Sequence, residues 1–300
     1  MTGLLDCTLC PRMCHANRHK QQGFCGGGIR ARVALVSLHP WEEPVIAGTS
    51  GAGTVFFSGC SLRCIFCQNY EISHQHKGIE VSDERLGEIF FEQQLRGAAT
   101  LDLVTPTHYI PQIINGLIYA RKKGFCLPVV YNSSGYENIS SLDLLQSHVD
   151  VFLPDLKYYS TDLSGEYSQA SDYFFVASEA VKKMVQLTGE AVEKNGILQK
   201  GVLVRHMVIP GARKDSMKLL EWLWHEFGDS IMVSIMNQYT PAYMALDHPK
   251  LKRRLTTFEY ESVVDFARSL GFSRCFIQES DATGMEYVPR WTGEGVLFVV

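Results

Sequence analysis

Long apolar runs are missing from this chain of 300 residues, and none approaches the roughly 18 residues that a membrane-crossing helix needs. The opening stretch, MTGLLDCTLC, lacks the basic-then-apolar layout of a secretory leader, so a cytoplasmic protein is expected. Surplus positive charge is missing too: 28 Lys and Arg stand against 32 Asp and Glu, a net charge of −4. That balance counts against a broad nucleic-acid surface, and neither nucleic acid nor membrane is an expected partner. The one dense basic cluster, Lys250, Lys252, Arg253 and Arg254, reads as a solvated face. Behind the first strand-like run there is no G-x-G-x-x-G, which argues against a dinucleotide fold. What is there suits a soluble globular protein, 46 % hydrophobic and 20 % charged. The length allows one large α/β domain or two ordinary ones.

Cysteine is the informative residue. Of nine, seven precede residue 68: Cys7, Cys10, Cys14, Cys25, Cys60, Cys64 and Cys67. In a reducing compartment, thiols at such short spacings read as metal ligands rather than disulfides. Cys126 and Cys275 stand alone in apolar stretches and read as ordinary buried side chains. Residues 56–69, FFSGCSLRCIFCQN, place three thiols on one loop. Structural zinc and iron–sulfur sites close with four ligands, so three leave one metal position open for something that reacts. A zinc ion with a distant fourth ligand, or three thiols that are simply buried, are the plainer readings. Upstream, Cys7, Cys10, Cys14 and Cys25 follow the spacing C-x2-C-x3-C-x10-C, enough to close a second site completely. An auxiliary iron–sulfur cluster and a zinc clamp both fit that spacing. His15 and His19 are alternative ligands there, though they read as solvent-facing.

The remainder alternates. Near-continuous apolar runs at 54–58, 101–105, 128–132, 149–153, 202–208 and 231–236 suit strands of a parallel sheet covered on both faces. Helical patterns lie between them at 82–98, 111–123, 214–227 and 258–270. Ser82 caps the first, Pro111 opens the second, and Gly124, Gly228 and Gly271 close the last three. Six strand–helix repeats imply one α/β domain with right-handed crossovers. The expected fold is a partial (β/α)6 TIM-like barrel of parallel strands with a small Cys-rich N-terminal extension, and a doubly wound sheet is the competitor. The expected division is 1–35 for the metal-binding extension and 36–300 for the core. The three-thiol loop follows the first parallel strand, at the end where such folds carry their chemistry.

The C-x3-C-x2-C spacing, with aromatic Phe66 before the last cysteine, resembles the radical S-adenosylmethionine (SAM) signature. Glu42-Glu43-Pro44, Gly51-Ala52-Gly53-Thr54 and the run FFSGCSLRCIFCQNYEIS are similar to radical SAM proteins related to pyruvate formate-lyase activating enzyme, in an uncharacterised branch. The resemblance implies that Cys60, Cys64 and Cys67 bind a 4Fe–4S cluster whose fourth iron is chelated by SAM. Reductive cleavage of SAM would release a 5′-deoxyadenosyl radical that takes hydrogen from a substrate. It also implies roles at the strand ends. Thr107, in Thr105-Pro106-Thr107-His108, stands where many relatives carry Gly-Gly-Glu to hold the methionine amino group, a stretch absent here. Asn132 and Ser134 are placed for the ribose. Asp155 and Lys157 match an Asp-x-Lys stretch beside the cofactor. Of the pair Arg205-His206, Arg205 is favoured to meet the methionine carboxylate, because strand residues alternate faces. Asn237 and Gln238 are placed for the adenine.

The function expected from the resemblance is hydrogen abstraction by an oxidoreductase. Its substrate is a protein or small molecule, including a glycyl residue of a partner enzyme, and its electron donor is of the flavodoxin or ferredoxin kind. The alternative is a non-catalytic iron–sulfur electron-transfer or metal-binding protein on the same scaffold. SAM cleavage separates the two.

Overall fold

The computed structural model describes residues 2–278 and 289–297. The chain runs through β1 (Ala31–His39), α1 (Pro44–Ala47), β2 (Ala52–Phe57), α2 (Tyr70–Ser73) and β3 (Ile79–Val81). The regular alternation follows, with α3 (Asp83–Leu95), β4 (Leu101–Val104), α4 (Ile110–Lys122), β5 (Val129–Ser133), α5 (Ile139–Asp143) and β6 (Val151–Pro154). After α6 (Thr161–Ser168), α7 (Tyr173–Thr188) and β7 (Val192–Lys194) come β8 (Ile197–Met207), α8 (Arg213–Phe227), β9 (Met232–Met236), α9 (Thr257–Leu270) and β10 (Cys275–Ile277).

The strands form one sheet in the order β10-β9-β8-β6-β5-β4-β2-β1-β3, with β7 beside β8. Neighbours from β2 through β10 pair in parallel, while β1 runs antiparallel to β2 and β3 antiparallel to β1. With β3 and β10 at opposite ends of that order, the sheet is an open partial barrel. The six expected parallel strands are β2, β4, β5, β6, β8 and β9, and β10 adds a further one of only three residues. Such a short run carries too little pattern to be read from sequence.

The helices start and stop where local chemistry dictates. Ser82 accepts a hydrogen bond from the Arg85 N–H at the start of α3, and Thr256 forms a reciprocal capping box with Glu259 at the start of α9. Gly228 and Gly271 leave α8 and α9 with φ of 51° and 100°. The sequence reading did not single out α7, whose buried stripe is Tyr173, Ala177, Ala180, Val181, Met184 and Thr188.

Alternate residues of the strands face two cores. Tyr131, Phe152, Val204 and Val233 pack under the helices. Val130, Leu153, Leu203 and Met232 face the other way, onto Val45 and Ile46 of α1. The short helix α1 therefore floors the inner face of the open barrel.

Two expectations change. A division after residue 35 falls inside β1, which is hydrogen-bonded to β2 along Val33–His39, so the strand and the sheet cannot be cut there. Cys126 is exposed rather than buried, its N–H bonded to Gln94 Oε1 at 2.7 Å, because it lies in the loop between α4 and β5.

Candidate functional site

Strand alternation decides what lies above the α1 floor. Two residues beyond Val130, Leu153 and Leu203 are Asn132, Asp155 and Arg205, and these line a cavity of about 380 Å³ at the carboxyl ends of the strands. Cys60, Cys64, Cys67, Phe66, Ser134, Lys157 and Gln238 line the same cavity. His206 points to the opposite face, buried, with Nδ1 2.7 Å from the Leu156 carbonyl. Asn237 is tied by its N–H to Gln278 Oε1 at 2.8 Å.

The thiol loop is held from several sides. The Gly59 N–H donates to the Ile72 carbonyl at 2.9 Å, the Ile65 N–H to Tyr167 at 2.9 Å, and the Ala245 N–H to Ile65 at 2.9 Å. Phe66 is buried against Tyr239 and Tyr158, which fixes the loop between the second and third cysteines. Cys64 Sγ lies 2.9 Å from Ser168 Oγ, Cys67 Sγ 3.2 Å from Ser73 Oγ, and the Leu62 N–H points at Cys60 Sγ at 3.4 Å. Burial, reinforced by the neighbouring Cys64, pushes the Cys60 thiol up to about 12 and the Cys67 thiol up to about 11. Iron binding must therefore displace protons, and the surrounding N–H and O–H donors would then stabilise the thiolates.

Among the described residues, no group of three or more His, Cys, Asp or Glu side chains could hold a metal ion. A multi-iron cluster asks for a different arrangement. Each thiolate takes its own iron, so the sulfurs surround a space rather than converge on a point. Three largely enclosed thiols on one loop, opening on a cavity with hydrogen-bonding groups at each sulfur, fit that demand.

A charged layer separates the floor from the cavity. Arg205 Nε donates to both carboxylate oxygens of Glu43 at 3.0 and 3.2 Å, and Nη2 donates to Glu42. Burial works against the Arg205 charge, but Glu42 and Glu43 outweigh it and hold the guanidinium firmly protonated. Beneath them Asp102 is buried on β4 and accepts from Asn132 Nδ2 at 3.4 Å. Burial, then the nearby Glu42, pushes its carboxyl well up. Lys157 Nζ pairs with Asp155 at 2.5 Å, and the attraction of Asp155 and Cys64 outweighs the burial that disfavours its ammonium.

Two expected residues sit differently. Thr107 does not face the cavity: it is buried, and its hydroxyl donates to Glu137 Oε1 at 2.6 Å. Thr105 lines the cavity instead, at a φ of 59°. That conformation is rare and costly for a β-branched residue and marks a constrained site. The donors of Arg205 are engaged by two resident carboxylates, so it does not present a free fork. Sequence reasoning missed Glu42 as a cavity residue, although Glu42-Glu43-Pro44 carried a signal: two acids at a helix start whose side chains make no helix cap.

An open α/β barrel with three thiols on the loop behind its first parallel strand defines the class: the fold is that of radical SAM proteins. No family model matches the chain. It is 28 % identical over 277 residues to the uncharacterized protein MJ0674 of Methanocaldococcus jannaschii, a match covering 87 % of this chain and 74 % of that one. Among solved structures it resembles SuiB of Streptococcus suis bound to the precursor peptide SuiA, with a TM-score of 0.51, 12 % identity, and coverage of 73 % of this chain and 46 % of SuiB. SuiB bound to S-adenosylmethionine gives a TM-score of 0.50 at 12 % identity, over 75 % of this chain and 48 % of that one. The anSMEcpe protein with bound AdoMet gives 0.52 at 12 % identity, over 74 % and 61 %. At this identity the likeness is one of fold. The chain spans about half the length of the SuiB chains it matches.

Proposed function

We propose that the protein is a radical SAM enzyme, with Cys60, Cys64 and Cys67 as ligands of a 4Fe–4S cluster. The carrying observation is the set of three thiols, Cys64 buried and Cys60 and Cys67 partly so, opening together with two ion-paired cations on one cavity. Bound there, the cluster would supply the electron that cleaves SAM to methionine and a 5′-deoxyadenosyl radical. The chain's own residues bind, orient and exclude water. Lys157 and Asp155 offer a matched cation and anion to the amino-acid end of SAM. Asn132, Ser134 and Gln238 offer hydrogen-bonding groups at successive strand ends, and Thr105 takes the place intended for Thr107. Phe66, Phe56 and Met236 give the cavity apolar walls.

Hydrogen abstraction from a polypeptide is the substrate class we favour, because SuiB shares this fold and has been solved with a precursor peptide. A glycyl residue of a partner enzyme belongs to that class. A flavodoxin- or ferredoxin-like protein would be the electron donor, and among the described residues no helix is long and apolar enough to cross a membrane. The test is to reconstitute the protein anaerobically with iron and sulfide, reduce it, add SAM and quantify 5′-deoxyadenosine. Production by the wild type but not by Cys67→Ala is expected. A reconstituted wild type that yields none, with or without peptide, would favour an electron-transfer role.

A further inference from the structure

We propose that Cys7, Cys10, Cys14 and Cys25 hold a second iron–sulfur cluster, seated behind the loop that carries Cys60, with Arg18 as its buried counter-charge. The proposal goes beyond the SAM reaction and does not depend on it. The N-terminal segment folds back on itself. The Cys7 N–H donates to Ala16 O at 3.1 Å, the His15 N–H to Cys7 O at 3.0 Å, and the Met13 N–H to Cys10 O at 3.0 Å. Met13 and His15 adopt left-handed backbone conformations, φ 41° and 52°, within that turn. The turn brings the thiols together. A Cβ placed on Gly23 would lie 3.4 Å from Cys14 Sγ and 3.6 Å from Cys25 Sγ, so both sulfurs flank the same glycine. Cys25 is within electrostatic reach of Cys7 and Cys14, and Cys10 of Cys7 and Cys25. Leu4, Leu9 and Ala16 form one apolar cluster with Cys7, and Cys14 packs against it.

Charge supplies the second observation. Arg18 is 2 % exposed. Its Nε and Nη1 donate to the carbonyls of Gly27 and His108, while Nη2 has no hydrogen-bond partner. Gly27 in turn donates its N–H to Cys25 Sγ at 3.4 Å, which sets the guanidinium beside that thiol. A buried cation with an unsatisfied donor is expensive unless an anion opposes it, and four neutral thiols provide none. A cluster bound by four thiolates carries the opposing negative charge. A multi-iron group, in which each thiolate takes its own iron, asks for no convergence of the four sulfurs on one point, and zinc in its place is an outcome of the test.

The test uses the full chain with Cys60, Cys64 and Cys67 all replaced by alanine, reconstituted anaerobically and assayed for iron, acid-labile sulfide and zinc. About four irons and four sulfides per chain are expected, with a paramagnetic signal on reduction, all lost when Cys7 and Cys10 are also replaced. No retained iron, or one zinc in its place, overturns the proposal. Should the triple variant fail to fold, the otherwise unaltered chain with only Cys7 and Cys10 replaced decides: a loss of about four irons per chain relative to wild type supports the cluster, and unchanged iron refutes it. Arg18→Gln should keep the iron of the N-terminal site but move its midpoint potential to more negative values. An unchanged potential would remove Arg18 from the assignment. Because these readouts are metal content and potential, they stand whether or not SAM is cleaved.

Discussion

Replacing Gly59 with alanine tests how the thiol loop is seated. Gly59 has a φ of 95°, and a Cβ there would stand 2.3 Å from the Cys25 carbonyl oxygen and 2.9 Å from His108 Nε2. The left-handed conformation alone costs an L-residue about 1–3 kcal/mol. The overlap is with a backbone oxygen that no rotamer change can move, and forced overpacking of this kind adds about 1–3 kcal/mol. A total near 3 kcal/mol corresponds to a fall in Tm of about 5 °C for a chain of this size. Gly28→Ala is the control, since nothing lies within 4 Å of its Cβ position, and it should stay within about 0.5 kcal/mol of wild type. Thermal unfolding of the metal-free proteins measures both. Equal melting temperatures for the two variants would refute the seating of the Cys60 loop against Cys25. Iron retained by the reconstituted Gly59→Ala protein should fall in step, because the displaced loop carries Cys60.

Arg205→Met strands the nearly buried carboxylates of Glu42 and Glu43, which should cost about 3–5 kcal/mol in urea unfolding. Adding Glu43→Gln should recover part of that, and strictly additive losses would count against the network. Glu259 accepts from Arg253, from Thr256 and from the Gly211 N–H, and Arg253 leads in pushing its carboxyl from 4.5 to about 2. A depressed folded-state value stabilises fully above pH 4.5 and is lost as pH falls toward 2, so Glu259→Gln should flatten acid destabilisation in that window. With Arg253 partly exposed, the effect should be about 1–2 kcal/mol, and parallel acid curves for variant and wild type would contradict it. Thr107→Val should cost about 1–2 kcal/mol by breaking the bond to Glu137 while leaving SAM binding intact, as calorimetry would read. A large loss of SAM affinity would return Thr107 to the binding site.

The parallel strands were legible because strands buried on both faces read as unbroken apolar runs, and the thiol loop was legible because its residue types are rare and closely spaced. Alternation along β8 was enough to choose Arg205 over His206 as the residue facing inward. Strand β1 was obscured by its position: Ala31–His39 follows the cysteine-rich segment directly and pairs antiparallel, so no crossover helix announced it. The choice of Thr107 over Thr105 failed for a local reason. A left-handed residue at the end of β4 redirects the chain, and no composition rule anticipates a threonine there. Nor could sequence place Glu42 and Glu43 against Arg205, about 160 positions away, because that contact exists only once α1 has floored the barrel.

The antiparallel β1–β2 pair acts as a ruler between the two sets of thiols. Ile29 and Arg30 alone link the Gly26–Gly28 turn to β1, the pairing Val33↔Phe57 through His39↔Ala52 fixes β1 on β2, and Ser58 and Gly59 lead straight to Cys60. Had β1 run parallel to β2, the same cysteines would emerge at the far end of the sheet, about six residues or 20 Å from Cys60. Spacing between the thiol sets is thus set by hydrogen-bond register, which changes only in whole steps of about 3.3 Å and turns every side chain over when it slips by one. The pair already carries one such step, an irregularity between Val33 and Leu35, so its spacing changes by an inserted residue and not by gradual drift.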